Sequence, residues 1–110
     1  MFNGCISLKS IDLTNFNTEN VIDMKYMFSG CISLESIDIS NFNYKSIKNM
    51  EYMFYNSSIK SIKLNNLDFQ NEVYMNYMFA NCISLTSVEL SNFSPNKRIE
   101  MKYMFEIVIH

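Results

Sequence analysis

The sequence predicts a repeat solenoid: one domain of about four units of 25–26 residues, with short parallel β-strands and short helical or 3₁₀ turns. The first observation is that Met-Phe recurs at positions 1, 27, 53, 78 and 104, so successive units are 26, 26, 25 and 26 residues apart. The second is that the same two apolar patterns occupy each unit between these marks. A fixed period of this size is typical of repeat proteins, in which each unit buries its apolar face against the next.

The first half of each unit predicts a short β-strand. Its pattern is Leu-x-x-Ile-x-Leu-x-x-Phe, and the alternation around Ile-x-Leu is that of a strand with one buried face. This is close to the leucine-rich-repeat frame, which places one parallel strand in each unit. The apolar positions are Leu8, Ile11, Leu13 and Phe16, then Leu34, Ile37, Ile39 and Phe42, then Ile59, Ile62, Leu64 and Leu67, and finally Leu85, Val88, Leu90 and Phe93.

The second half of each unit predicts a short helix or 3₁₀ turn. Val21, Met24 and Phe28 fall at i, i+3 and i+7, which is one face of a helix. The second unit repeats this spacing, and the later units match it less well, with Glu72 and Arg98 at the Val21 position. The sequence therefore alternates a strand with a turn of helix.

The third unit and both ends depart from the pattern. Tyr55-Asn56-Ser57-Ser58 replaces a segment that is one residue longer in the unit before it, and the repeat stops after Phe105. Met1 falls inside a unit, which is typical of a chain that begins part-way through a longer array, or of a gene fragment. Solenoids need polar capping units at their ends, and neither end shows one. We therefore expect copies to associate end to end.

Composition excludes several kinds of partner. The net charge of -2 favours neither nucleic acid nor an anionic membrane, since both attract clustered Lys and Arg. No apolar run reaches the ~18 residues that a membrane-spanning helix needs. Residues 1–10 do not read as a signal peptide, because they lack a basic start and a long apolar block.

The charges offer a test of stacking. If units pack in register, residues 25 or 26 apart become neighbours at ~5 Å, the spacing of strands in a sheet. Two columns then alternate in sign: Lys9, Glu35 and Lys60, and Asp38, Lys63 and Glu89. Such exposed pairs are worth ~0.5 kcal/mol each, so they set register more than stability.

The strand side chains that do not face the core form the candidate binding face, on the concave surface that solenoids use for binding. This face lacks the aromatic and Arg residues that dominate interface hot spots. It therefore predicts weak, multivalent contact, and a merely solvated surface is the alternative. Its residues are Ser10, Asp12, Thr14, Ser36, Asp38, Ser40, Ser61, Lys63, Asn65, Ser87, Glu89 and Ser91.

A second candidate surface is the column of tyrosines that precedes each Met-Phe, namely Tyr26, Tyr52, Tyr77 and Tyr103. These rings are either a partly exposed adhesive patch or half-buried neighbours of the core. Phenol rings pair an apolar body with a polar tip, so both settings suit them.

The cysteines and methionines occupy columns of their own. Cys5, Cys31 and Cys82 are 26 and 51 residues apart, which fits no zinc motif. We expect buried free thiols, with a Cys5–Cys31 disulfide as the alternative. The nine methionines predict a core ladder, and a Cu(I) site is the weaker reading.

Catalysis has little support, and we predict no catalytic, cofactor-binding or metal-binding residue. The one histidine, His110, is the last residue, and the two glycines exclude a Gly-rich phosphate loop. Asp12 and Asp38 can lie side by side, but on an open face where nothing raises their pKa. Two glycosylation sequons, Asn56-Ser57-Ser58 and Asn92-Phe93-Ser94, matter only in a protein secreted by a eukaryote.

The repeat resembles that of the BspA-like leucine-rich-repeat surface proteins, whose unit reads roughly Met-Phe-x-x-Cys-x-x-Leu-x-x-(Ile/Leu)-Asp-Leu-Ser-x-Phe-x-Thr-x-x-Val-x-x-Met-x-x-Met-Phe. The resemblance covers residues 1–105 and is closest over Leu8 to Phe28, including Asp12 and Met24. It implies a solenoid at the cell surface or secreted, acting in attachment and partner binding.

We therefore expect a non-enzymatic module for cell-surface adhesion or protein–protein interaction, with a protein or a host or matrix ligand as its partner. An intracellular interaction scaffold is one alternative. A truncated relic of a larger surface protein, with no independent role, is the other.

Overall fold

The structure, a computed structural model, describes residues 3–65, 67–91 and 98–107. Within these ranges there are four short β-strands and no helix: β1 (Ser61–Asn65), β2 (Val73–Tyr74), β3 (Ser87–Ser91) and β4 (Ile99–Glu100). β1 pairs with β3 and β2 pairs with β4, both in parallel, which gives two sheets of two strands each.

Residues 25 or 26 apart are neighbours, as predicted. Ser61 pairs with Ser87, and Val73 with Ile99. Outside the strands, Asn49 makes isolated parallel bridges to residues in the units on both sides, namely Asp23 and Tyr74. Parallel hydrogen bonds between successive units therefore organise the chain.

The predicted leucine-rich-repeat solenoid is wrong. It requires a strand in every unit, whereas each sheet in the described ranges holds two strands, and residues 10–14 and 36–40 form none. In those two segments Asp12 and Asp38 each accept a hydrogen bond from the backbone N–H two residues on, at 3.0 and 2.9 Å. An aspartate that binds its own backbone in this way favours a turn over strand pairing.

The two units that do form strands differ at this position. Lys63 and Glu89 replace the aspartates and pair with each other in the register of β1 and β3. Neither residue makes the short side-chain bond of the aspartates among the described residues. The residue at this one position therefore differs between the units that form a strand and those that do not.

The predicted helical turn in the second half of each unit is also wrong. Tyr26, Tyr52 and Tyr77 have φ of 60°, 56° and 58°, a left-handed conformation that cannot continue a right-handed helix. Their N–H groups donate instead to carbonyl oxygens of the following unit, at 3.1, 3.2 and 3.0 Å. The apolar spacing of this segment reflects packing between units, not a helical period.

The predicted equivalents of Val21 in the later units are wrong by one residue. Glu72, aligned with Val21, is exposed, whereas Val73 is 1% exposed and pairs with Ile99. In these units the apolar residue lies one position after the one that the alignment on Met-Phe indicates. β2 and β4 therefore pair Val73 with Ile99, and not Glu72 with Arg98.

The predicted core columns are confirmed in the inner units, whereas Phe105, which was predicted to belong to them, is 56% exposed. Phe28, Phe54 and Phe79 are fully buried and their rings stack at 5.5 Å between neighbours. The buried methionines are Met24, Met27, Met50, Met53, Met75, Met78 and Met104. Met101 is an exception at 46% exposed, and Met1 lies outside the described residues.

Candidate functional site

The predicted binding face lies on the surface. β1 shows why: Ile62 and Leu64 point into the core, while Ser61 and Lys63 alternate with them and are exposed. The same alternation exposes the other described members of the face, namely Ser10, Asp12, Thr14, Ser36, Asp38, Ser40, Ser87 and Glu89. Asn65 and Ser91 lie in strands, and their side chains are outside the described part of the chain.

The acidic residues of this face are held by local hydrogen bonds. Asp12 Oδ1 accepts from the N–H and the hydroxyl of Thr14, at 3.0 and 2.7 Å, and these bonds hold the pKa of Asp12 below its usual value. Bonds from the hydroxyl and the N–H of Ser40 lower the pKa of Asp38 in the same way, with a smaller attraction from Lys63. Two carboxylates that stay ionised are not suited to general acid catalysis.

Charge alternation between units is partly realised. Lys60 Nζ lies 3.3 Å from Glu35 Oε2, and both side chains are more than 60% exposed. Lys63 and Glu89 are register partners in adjacent strands. Because solvent screens such pairs, they orient the units and add little to stability.

A shallow depression of about 400 Å³ lies in this face, between residues 36–40 and β1. Ser36, Asp38 and Ser40 line one side, and Ser61 and Lys63 line the other. A backbone bond from Lys60 N–H to Glu35 O, at 2.9 Å, joins the residues that precede Ser36 and Ser61. Ile37 and Ile62 also line the depression, so it is open and offers both hydrogen-bonding groups and apolar surface.

The tyrosine column forms a ladder of parallel rings. Ring centroids are 4.8 Å apart from Tyr26 to Tyr52, 4.8 Å from Tyr52 to Tyr77 and 5.1 Å from Tyr77 to Tyr103. Tyr26 is 37% exposed and Tyr103 58%, and the two inner rings are half-buried. The ends of the column are therefore exposed and its two inner rings are packed, and an adhesive role for the column stays a prediction.

Partial burial also acts on the inner phenols. It raises the pKa of Tyr52 and of Tyr77, and nearby tyrosines and carboxylates add to the effect. The raised pKa keeps the two inner phenols, Tyr52 and Tyr77, neutral over the physiological pH range.

A buried amide beside the ladder was not predicted. Asn76 Nδ2 donates to Glu51 Oε2 at 2.9 Å and to Glu100 Oε1 at 3.1 Å, and Asn76 Oδ1 accepts from Lys102 N–H at 2.7 Å. One side chain thus joins three successive units. A signal was present, because Asn76 is the uncharged member of a column that otherwise reads Lys25, Glu51 and Lys102.

Two of the three cysteines are buried, as expected. Cys31 is 0% exposed and Cys82 7%, and Cys5 is half-buried. Burial raises the pKa of Cys82, and its thiol contacts Ser57 Oγ at 3.5 Å. In the shortened third unit, Ser57 lies at the position equivalent to the cysteines. Because a serine can replace a cysteine there, we infer that the residues of this column serve packing.

The remaining candidates from the sequence are the glycosylation sequons, His110 and possible metal ligands. Asn56 is exposed within the first sequon, whereas the second sequon and His110 lie outside the described residues. In the described ranges, no three residues among His, Cys, Asp and Glu cluster closely enough to hold a metal ion. Nor do these ranges contain a helix long and apolar enough to span a membrane.

One family model matches most of the chain. It is described as Mycoplasma protein of unknown function, DUF285, and it matches residues 1–93 and, in a second match, residues 60–108. The chain belongs to this family. The two matches of the DUF285 model overlap along the repeats, which agrees with the internal period of the sequence. No curated protein and no solved structure matches this DUF285 chain.

Proposed function

We propose that this DUF285 protein is a non-enzymatic interaction module that binds proteins at a cell surface through weak, multivalent contacts. The observation that supports this most is the tyrosine ladder, which presents one ring from each unit at separations of 4.8, 4.8 and 5.1 Å. Tyrosine is enriched at binding hot spots because it supplies large contact area with few rotatable bonds.

Contacts within the protein itself support the ladder. Neighbouring rings stack on one another, and the N–H groups of Tyr26, Tyr52 and Tyr77 donate to carbonyls of the next unit. A rigid surface loses less conformational entropy on association than a flexible one. The accessible area of each ring is nevertheless small, so one copy binds weakly and several linked copies bind with avidity.

The polar face supplies a hydrophilic rim rather than an anchor. Its aspartates, Asp12 and Asp38, already accept hydrogen bonds from Thr14 and Ser40, and its described serines are exposed. Solvated groups of this kind contribute specificity more than affinity.

The surface location rests on the resemblance to BspA-like proteins. An intracellular interaction scaffold is the second candidate, and the odd number of cysteines favours it because disulfide frameworks of secreted domains use even numbers. Limited proteolysis of intact cells of the native organism separates the two. Loss of the protein supports a surface location, and its survival supports the scaffold.

Binding is tested by surface plasmon resonance over immobilised laminin and collagen, with serum albumin as the reference surface. A single copy is compared with two copies joined by a flexible Gly/Ser linker. We expect the linked pair to bind at least ~100-fold more tightly than one copy. Failure of the linked pair to bind either matrix protein above the albumin level would overturn the adhesion proposal.

Two matched double variants locate the binding surface. Tyr26→Ser with Tyr103→Ser removes the exposed ends of the ladder, and Ile6→Ser with Ile83→Ser removes exposed apolar side chains, 60% and 76% accessible, elsewhere. We expect the first pair to abolish avid binding and the second to retain it. Equal losses in both would show that general stickiness, not the ladder, causes binding.

A further inference from the structure

The cysteine column brings one pair of cysteines into neighbouring units. Its members are Cys5, Cys31, Ser57 and Cys82, one from each unit. Cys5 and Cys31 follow one another in this order, whereas Ser57 separates Cys31 from Cys82. All three cysteines are thiols in the structure. The order of the column therefore allows one disulfide between neighbouring units, and that disulfide joins Cys5 to Cys31.

The first two units approach closely at the residues that precede these cysteines. Gly4 N–H donates to Ser29 O at 2.7 Å. A side-chain carbon at Gly30 would lie 3.6 Å from Gly4 Cα. Residues paired in this way have Cα atoms about 5 Å apart, which is within the range of ~4.4–6.8 Å that a disulfide spans. The backbone therefore holds the two cysteines at a distance that permits a bond.

The equivalent pair two units later shows how closely the side chains approach. Ser57 Oγ lies 3.5 Å from Cys82 Sγ, and both side chains are buried. The preceding backbone bond, from Asn56 N–H to Ala80 O at 3.0 Å, corresponds to the bond between the first two units. Because the same pairing recurs in each unit, we expect the side chains of the first cysteine pair to face each other in the same way.

The pKa of Cys31 reflects this contact. Burial raises the pKa of its thiol, a hydrogen bond from the backbone of Cys5 lowers it, and the charge of an ionised Cys5 thiol raises it. A hydrogen bond requires the two groups to touch. Cys5 therefore lies against the sulfur atom of Cys31.

We propose that Cys5 and Cys31 form a disulfide between the first two units when the protein is in an oxidising medium, and that Cys82 remains a thiol. One thiolate of the pair attacks a sulfur atom of a small disulfide, such as oxidised glutathione, and releases one reduced glutathione. The second thiolate then attacks the mixed disulfide and releases the second reduced glutathione. The two cysteines are thereby oxidised, and their two protons pass to the two glutathione thiols.

The cross-link constrains the first two units. It closes the chain between residues 5 and 31, which reduces the conformational freedom of the unfolded chain, so the oxidised protein should unfold at a higher urea concentration than the reduced protein. Thiols stay reduced in the cytosol and are oxidised in secreted proteins. The state of this pair in the native organism therefore indicates the compartment of the protein, whether or not the protein binds laminin or collagen.

The test identifies the protected thiols by mass spectrometry. The purified full chain is incubated with oxidised glutathione, unfolded with N-ethylmaleimide present, and weighed intact and after trypsin digestion. Trypsin cleaves after Lys9 and Lys25, so Cys5 and Cys31 fall in different peptides. We expect oxidation to protect two of the three cysteines from maleimide and to link these two peptides. Maleimide on all three, glutathione that stays attached to either cysteine, or a disulfide to Cys82 would overturn the proposal.

Two variants and one control test the geometry of the column. Cys31→Ser should form no disulfide, and it should fold because Ser57 occupies the equivalent position. Ser57→Cys should add a second disulfide, to Cys82, through the contact that the serine now makes. Absence of that second disulfide in the oxidised variant would contradict the geometry. Circular dichroism verifies that both variants are folded.

Oxidation of the parent in concentrated urea is the control for the fold. Without the fold, Cys82 should also enter disulfides, because no backbone pairing selects the partners. Exclusive pairing of Cys5 with Cys31 in urea would show that their separation along the chain selects the pair, and it would overturn the structural explanation.

Discussion

The ring of Tyr77 lies parallel to that of Tyr52, with centroids 4.8 Å apart and planes inclined by 4°. Both tyrosines have a left-handed backbone, with φ of 58° and 56°. Such a conformation costs a side-chain-bearing residue about 1–2 kcal/mol. Stacking between units offsets this cost, so the ladder links an unfavourable local backbone to a favourable contact between repeats.

This relationship predicts an unusual order of stability at Tyr52. Tyr52→Phe keeps the stacked ring and should change the free energy of unfolding by less than about 0.5 kcal/mol. Tyr52→Ala loses both stacking contacts and should cost about 2 kcal/mol. Tyr52→Gly should be about 1 kcal/mol more stable than the alanine variant, because glycine adopts positive φ without strain. Urea unfolding measures all three, and an alanine variant more stable than the glycine variant would contradict the left-handed assignment.

Asn76 should be a sensitive position because its amide separates Glu51 from Glu100. Asn76→Asp replaces two donated hydrogen bonds with a third carboxylate and should destabilise the protein by about 3 kcal/mol at neutral pH. Asn49→Asp is the matched control. Asn49 Oδ1 only accepts a hydrogen bond, from Glu51 N–H, and an aspartate accepts it equally well. Similar losses in the two variants, measured by urea unfolding, would show that the bridge at Asn76 does not form.

Acid should weaken the turns at Asp12 and Asp38. Hydrogen bonds lower the pKa of both carboxyls below the ordinary value of 3.8 in the folded state. A depressed pKa contributes stability that is present above the unfolded value and is lost as pH falls through the folded value. We therefore expect the loss to occur below about pH 4.

Carboxyl titration by NMR measures these two pKa values directly. Ser40→Ala removes the largest cause of the shift at Asp38, so the pKa of Asp38 should rise while that of Asp12 stays unchanged. A rise at both sites, or at neither, would show that Ser40 does not hold Asp38.

Alkali should act through Tyr44. Its ring is 2% exposed, its hydroxyl donates to Ile39 O at 3.1 Å, and burial raises its pKa above the ordinary value of 10. A raised pKa contributes stability that is complete below the unfolded value and is lost as pH rises through the folded value. Stability should thus decline above pH ~10.

Tyr44→Phe tests this without removing the ring. The variant should lose about 1 kcal/mol at neutral pH, because the hydrogen bond to Ile39 is gone. It should also lose less stability than the parent between neutral and alkaline pH. Parallel declines in urea midpoint for both proteins would assign the alkaline effect to other tyrosines.

Much of the packing was predictable, because the period of the sequence aligns residues that pack together. The buried Phe28 and Phe54, the methionine columns, and the exposure of Ser61 and Lys63 all follow from it. The prediction of secondary structure was wrong. The spacing of apolar residues indicates which side chains are buried, but it does not indicate how the backbone is hydrogen-bonded. The spacing of Val21, Met24 and Phe28 fits a helix. The backbone N–H groups of Met24 and Phe28 nevertheless donate to carbonyls of the next unit.

Two of the features that the sequence did not predict have local causes. Asp12 and Lys63 occupy the same position in different units. Only Asp12 accepts a hydrogen bond from the backbone N–H two residues later. The same apolar pattern therefore forms a turn in one unit and a strand in the other. The left-handed tyrosines left no clear signal, because tyrosine is rare in that conformation. Glycine and asparagine, by contrast, mark a second left-handed column at Gly4, Gly30, Asn56 and Asn81.

Pairing between units, rather than helix formation within them, is the basis of the tyrosine ladder. NMR couplings transmitted through hydrogen bonds test it most directly, because each coupling identifies one donor nitrogen and one acceptor carbonyl. We predict couplings from Tyr52 N to the Asn76 carbonyl and from Tyr77 N to the Lys102 carbonyl. Couplings from these nitrogens to carbonyls four residues earlier would show a helix in each unit and contradict the account.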